Sequence, residues 1–218
     1  MSFTSNFQSR INEDDRVKLG PVEKEWSWVR FGTLSLFSFN IREEIPDVWE
    51  NISVGIQFIS DQSSWEAEQL VNEGHLNVDI LADRLKKGDI CCCASFQGET
   101  VSYCWIAASR AHIGEIGKEM RLKENEIYLY DAYTKPEFRG NNLCPKILTS
   151  ILNYGRLRGY QRVLIFALSS NSSSITAIKK AGFDRFQSVY FLDIYCKTLC
   201  RFGEVKPGAL SIEERFVI

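Results

Sequence analysis

The stretch from Glu126 to Phe183 reads EIYLYDAYTKPEFRGNNLCPKILTSILNYGRLRGYQRVLIFALSSNSSSITAIKKAGF. EIYLYDAYT (Glu126–Thr134) is rich in aromatic residues and predicts a strand. Pro136 ends it, and a polar turn with Arg139, Gly140, Asn141 and Asn142 leads into a helix. In that helix Leu143, Ile147, Leu148, Ile151 and Leu152 recur at three- and four-residue spacing, and Gly159 stops it. QRVLIFALSS predicts a strongly apolar strand, and SSSITAIKKAGF a short helix closed by Gly182. Phe183–Tyr195, with VYFLDIY at its centre, predicts another strand.

Working outward, Asp89–Phe96 and Thr100–Ala108 read as two strands joined by a tight turn at Gln97, Gly98 and Glu99. VDILADRLKKG upstream predicts a helix ending at Gly88, and SSWEAEQLV near Ser64 a capped one. Trp26–Ile41 reads as one or two aromatic strands, and residues 1–25 as a polar arm or packed extension. Hairpin, strand, helix, strand, helix, strand is the order of an α/β (or α+β) fold with a mixed central sheet flanked by helices.

Composition narrows the function classes. The chain has 218 residues and a formal net charge of -2, which gives no electrostatic footprint for nucleic acid. No apolar run reaches the ~18 residues that span a bilayer. The opening residues MSFTSNFQSR lack the apolar core of a signal peptide. Seven cysteines without paired Cys/His spacing read as buried thiols in a reducing, cytoplasmic setting, with no metal site. Cys91, Cys92 and Cys93 are consecutive, so on a strand they face alternate sides.

The turn before the helix is where chemistry is expected. Free backbone N–H groups at a helix start attract anions, Arg139 adds charge, and Gly140 lets a ligand approach closely. The alternative is a plain loop with an asparagine cap. Neither GxxxxGK[ST] nor GxGxxG is present.

With these landmarks in this order, Leu81–Tyr195 resembles the GNAT N-acetyltransferase superfamily. The family motif is a strand, then [Gln/Arg]-x-x-Gly-x-[Gly/Ala], then a helix. In TKPEFRGNNLCPKIL, Arg139 falls on the first position, Asn142 on the glycine and Cys144 on the Gly/Ala position. Asn171, the helix that follows it and Gly182-Phe183 match a second landmark.

The resemblance implies acetyl-CoA or another short-chain acyl-CoA as co-substrate. Its pyrophosphate would lie against Arg139, Gly140, Asn141, Asn142, Leu143 and Cys144. Asn171 and Ser174 would flank the cofactor, and backbone groups of Tyr133 or Thr134, at a strand bulge, would meet the thioester. Residues 81–218 would then be the acyl-CoA-binding core, and residues 1–80 an N-terminal extension or acceptor-side subdomain of the same fold. The acceptor would be a small-molecule primary amine. RGNNLCP is similar to the turn of members associated with bacterial surface sugars, which suggests a nucleotide-linked amino sugar. A homodimer, a non-catalytic binding protein on the same fold and a protein or peptide acetylating enzyme stay open.

Amine attack on a thioester requires a proton acceptor and oxyanion stabilisation. Candidate bases are Asp131, Glu126 and His112, with His75, Tyr128 and Tyr130 behind them. Strand alternation puts Glu126, Tyr128 and Tyr130 on one face and Asp131 on the other, unless a bulge shifts the parity. Many family members carry a tyrosine just before the Gly-Phe, which protonates the departing thiolate. Ile178 stands there, so either Tyr190, Ser173 or Ser174 serves as the acid, or the thiolate leaves without one. Lys146, Lys179 and Lys180 are further candidates for the phosphates.

Overall fold

The computed structural model describes residues 29–61, 67, 70, 77–195, 197–209 and 211–217. The arm at 1–25, Trp26, Trp65, His75, Cys196 and most of the helix expected near Ser64 lie outside the described residues.

An eight-stranded sheet forms the centre. In chain order its strands are β1 (Val29–Asn40), β2 (Gly55–Ile59), β3 (Ile90–Phe96) and β4 (Glu99–Ala107). β7 (Glu126–Thr134), β8 (Arg162–Leu168), β9 (Asp184–Ile194) and β10 (Lys197–Phe202) complete it. The spatial order is β10-β9-β1-β8-β7-β4-β3-β2. β7 and β8 are parallel; the other neighbours are antiparallel. A second sheet of β5 (Arg110–Ile113), β6 (Lys118–Arg121) and β11 (Phe216–Val217) packs beside it.

Helices α2 (Leu143–Leu157) and α3 (Ser172–Lys180) cover one face of the large sheet. They bury Leu143, Ile147, Leu148, Ile151, Leu152 and Ile178 against Phe37, Phe39, Cys92, Leu129 and Ile165. Helix α1 (Val78–Lys86) and the small sheet cover the other face, over Trp105, Tyr103, Leu34, Leu36 and Phe166. The consecutive cysteines alternate as expected: Cys92 joins the α2 side, Cys91 and Cys93 the α1 side.

Within the N-terminal region, residues 29–40 are part of the large sheet. β1 lies between β8 and β9 and is hydrogen-bonded to both. Its alternation buries Leu34 and Leu36 on one face and Phe37 and Phe39 on the other. Residues 41–54 then cross the α2 face to reach β2 at the far edge. On the way Val48 and Glu50 meet Lys146, and Asn51 meets Gly140 and Asn141.

Candidate active site

β7 and β8 pair only from Glu126↔Arg162 to Leu129↔Ile165, and beyond that their edges separate. The cause lies in β7. Trp105 pairs with Tyr130 and Tyr103 with Tyr133, so Asp131 and Ala132 together oppose Cys104 alone. This is a β-bulge, and Asp131 sits in it at φ 48°, a left-handed conformation that aspartate tolerates better than most side chains. The bulge bends β7 away from β8 and opens a slot between parallel strands. Past it, Ser102 Oγ donates to the Tyr133 carbonyl at 2.7 Å and lies 2.7 Å from Thr134 Oγ1.

On the α2 side the slot leads to the polar turn. Gly140 (φ 84°) and Asn142 (φ 60°) are both left-handed, a conformation that glycine adopts freely and asparagine better than most other residues. The backbone N–H groups of Asn141, Asn142, Leu143 and Cys144 donate to no protein acceptor among the described residues. Pro145 follows and contributes no N–H. Successive free donors at the positive end of a 15-residue helix suit a pyrophosphate. Arg139 Nε donates to the Thr134 carbonyl at 3.2 Å, tying the turn to the end of β7. Asn142 Nδ2 donates to the Trp49 carbonyl at 3.0 Å, and its Oδ1 accepts from Lys180 Nζ at 2.7 Å. Burial pushes the Cys144 thiol up to about 11, so it is neutral near pH 7.

Arg84 of α1 organises the opposite face. Its Nη1 lies 2.5 Å from Asp131 Oδ2, and its guanidinium sits over the rings of Trp105 and Tyr130 at 4.9 and 5.1 Å. Tyr130 donates to Asp89 at 2.6 Å, and the Asp89 N–H donates to the Arg84 carbonyl. Burial raises the Asp89 carboxyl, and burial together with the Asp89 hydrogen bond raises the Tyr130 phenol. The network carries Asp131 to the same face as Tyr130, so the bulge overturns simple alternation. Asp131 Oδ2 is engaged, but the side chain stays 38% exposed beside the slot.

Comparison with known proteins agrees with this fold. Residues 58–183 match the model of the acetyltransferase (GNAT) family. The chain belongs to the GNAT acetyltransferase family. No curated protein matches it at a significant level. Similar solved structures include a GCN5-related N-acetyltransferase from Sphaerobacter thermophilus, at 12% identity and TM-score 0.53, covering 84% of this chain and 55% of that one. A GNAT-family acetyltransferase from Colwellia psychrerythraea has 14% identity and TM-score 0.50, covering 76% and 57%. An aminoglycoside acetyltransferase from an uncultured soil metagenomic sample, in complex with sisomicin, has 12% identity and TM-score 0.45, covering 59% and 87%. The chain thus spans little more than half the length of the first two. The expected mixed sheet and acyl-CoA-dependent N-acyltransferase class stand with the family.

Within the GNAT frame the other candidates separate. Glu126 lies at the far end of β7 from the slot, with its side chain 4% exposed. It is held by Arg215 at 2.5 Å and Arg162 at 3.6 Å, a buried ion-pair cluster away from the slot. His112 is not in a loop but on β5, exposed and opposite Glu119 in the small sheet. Tyr190 is 51% exposed on β9, and β1 intervenes between β9 and β8. Ile178 is buried in the core.

Asn171 caps α3, its Oδ1 accepting from the Ser174 N–H at 3.0 Å and from Ser173 Oγ at 2.9 Å. Lys146 is paired with Glu50 at 2.9 Å, while Lys179 is exposed at the end of α3. Arg84, Asp89 and Trp49 were not singled out by sequence reading; a helical arginine and a turn aspartate carry no local signal of meeting a strand bulge. Among the described residues, no group of His, Cys, Asp or Glu is placed to hold a metal, and no helix is long and apolar enough to cross a membrane.

Proposed function

We propose that the chain transfers an acetyl or short acyl group from acyl-CoA directly to a primary amine of a small acceptor, a nucleotide-linked amino sugar being the class favoured by the RGNNLCP turn. The observation that carries this reading is the bulged, splayed slot leading straight to a row of free N–H donors. The pyrophosphate lies on the Asn141–Cys144 donors with Arg139 beside it, and the pantetheine arm enters between β7 and β8. Asn171 and Ser174 flank the cofactor at the start of α3. The thioester carbonyl accepts from a backbone N–H at Tyr133 or Thr134, which lowers the cost of the tetrahedral oxyanion.

The amine arrives from the α1 face. Asp131, steadied by Arg84, takes the ammonium proton through its second oxygen, directly or through one water. The amine nitrogen then forms its bond to the acyl carbon, the C–S bond breaks, and the second N–H proton passes to the departing sulfur, directly or through water, so the amide is neutral and the coenzyme leaves as the thiol. Free, mostly buried thiols suit a reducing cytoplasmic setting.

The test is thermal stabilisation by acetyl-CoA, read beside thiol release over a panel of amines that includes amino sugars, nucleotide-linked amino sugars and peptides. Stabilisation and turnover on an amino sugar are expected. Loss of stabilisation with every CoA species overturns the reading. Binding without turnover on any amine points to a binding protein, and turnover on peptides alone moves the acceptor class.

A further inference from the structure

Trp49 is 76% exposed, an unusual position for the largest side chain. Its backbone is nevertheless fixed. The Trp49 carbonyl accepts from Asn142 Nδ2 at 3.0 Å. On one side Val48 is buried, and on the other Asn51 donates through its backbone N–H to the Asn141 carbonyl at 3.1 Å and through Nδ2 to Gly140 at 3.2 Å. Glu50, between them, is paired with Lys146. The linker therefore holds an open indole beside the same turn that offers its N–H donors to an anion. Lys180 reaches Asn142 from α3 and has no carboxylate partner among the described residues.

An aromatic surface beside a phosphate-binding turn, with an ammonium next to it, matches the chemistry of a nucleotide: a flat base and further phosphate charge. We propose that Trp49 is the stacking platform for the adenine of coenzyme A, with Lys180 meeting phosphate on the nucleotide side. This rests on the acyl-CoA reading above and adds to it a specificity residue from outside the segment that matches the family, since that segment begins at residue 58. Because the linker is already bonded to the turn, the indole is preorganised and little ordering opposes binding.

Calorimetry on the full chain with CoA and with 4′-phosphopantetheine, which lacks the adenosine half, separates the contributions. Trp49→Ala should weaken CoA binding about tenfold, the middle of the range for loss of a base–aromatic stack, and leave 4′-phosphopantetheine unchanged. Trp49→Phe should recover most of the loss. Quenching of tryptophan fluorescence by CoA should vanish in Trp49→Ala, and Lys180→Ala should reduce the preference for CoA over dephospho-CoA. Equal losses for both ligands, or none for CoA, overturn this proposal and leave the acyl-CoA reading intact. A wild-type chain that binds neither ligand overturns both.

Discussion

Asn142 does three things at one position. It adopts φ 60°, orients the free N–H groups of the turn, and bridges Trp49 to Lys180. Alanine at a left-handed position costs about 1 kcal/mol and forfeits both bonds, each worth about the same. Asn142→Ala should therefore lower stability by about 2–3 kcal/mol in urea unfolding and weaken CoA binding. Asn142→Gly keeps the conformation and should cost clearly less. Equal losses in the two variants would show that backbone conformation is not what the residue provides.

Asp131 allows a similar separation. Asp131→Gly retains access to the left-handed bulge, so CoA binding should persist while turnover falls about 10²–10⁴-fold, the usual worth of a general base. Asp131→Asn should lose rate comparably. A rate and pH profile unchanged in Asp131→Asn removes the residue from the mechanism.

The linker between β1 and β2 is held partly by charge. The hydrogen bond from Lys146 holds the Glu50 carboxyl below the usual carboxylate range. A lowered folded-state value means the stabilisation is present above the unfolded value near 4.5 and is lost as pH falls below it. Acidification through that range should release the linker from the turn, seen as a falling protection factor at the Asn51 amide, its exchange rate being taken relative to the intrinsic rate at the same pH. Because the pair is only partly buried, Glu50→Gln should cost no more than about 1 kcal/mol. A protection factor at Asn51 that does not change with pH would place the linker's hold in its backbone bonds alone.

Local pattern revealed some elements and not others. The β3–β4 hairpin, β7, the turn, α2, β8 and α3 were legible because periodicity and Gly/Pro punctuation are local properties. The bulge, and the parity shift it could bring, were legible through the resemblance, but the Arg84 that meets Asp131 from 47 positions away was not. The ion pairs of Glu126 were not legible for a related reason: its partners, Arg162 and Arg215, lie 36 and 89 positions away in the chain. The place of His112 on a strand was not legible, because four-residue β5 is too short to give a pattern.

The longest-range feature is the place of β1. The segment that matches the family begins at residue 58, yet the large sheet is continuous only because residues 29–40 sit between β8 and β9. Leu34, Leu36, Phe37 and Phe39 are each almost fully buried there. At about 1.5–3 kcal/mol per buried side chain they contribute roughly 6–12 kcal/mol, comparable to the whole stability of a domain. Removing β1 would also strip backbone partners from two strands at once. A chain beginning at Gly55 should therefore lack a cooperative urea transition. A peptide of residues 29–54, added in trans, should restore that transition together with CoA-dependent thermal stabilisation, since it supplies both the missing strand and the linker over the phosphate turn. Cooperative unfolding of the shortened chain without the peptide, at an undiminished m-value, would show that β8 and β9 close on each other and that β1 is an addition to an independent core.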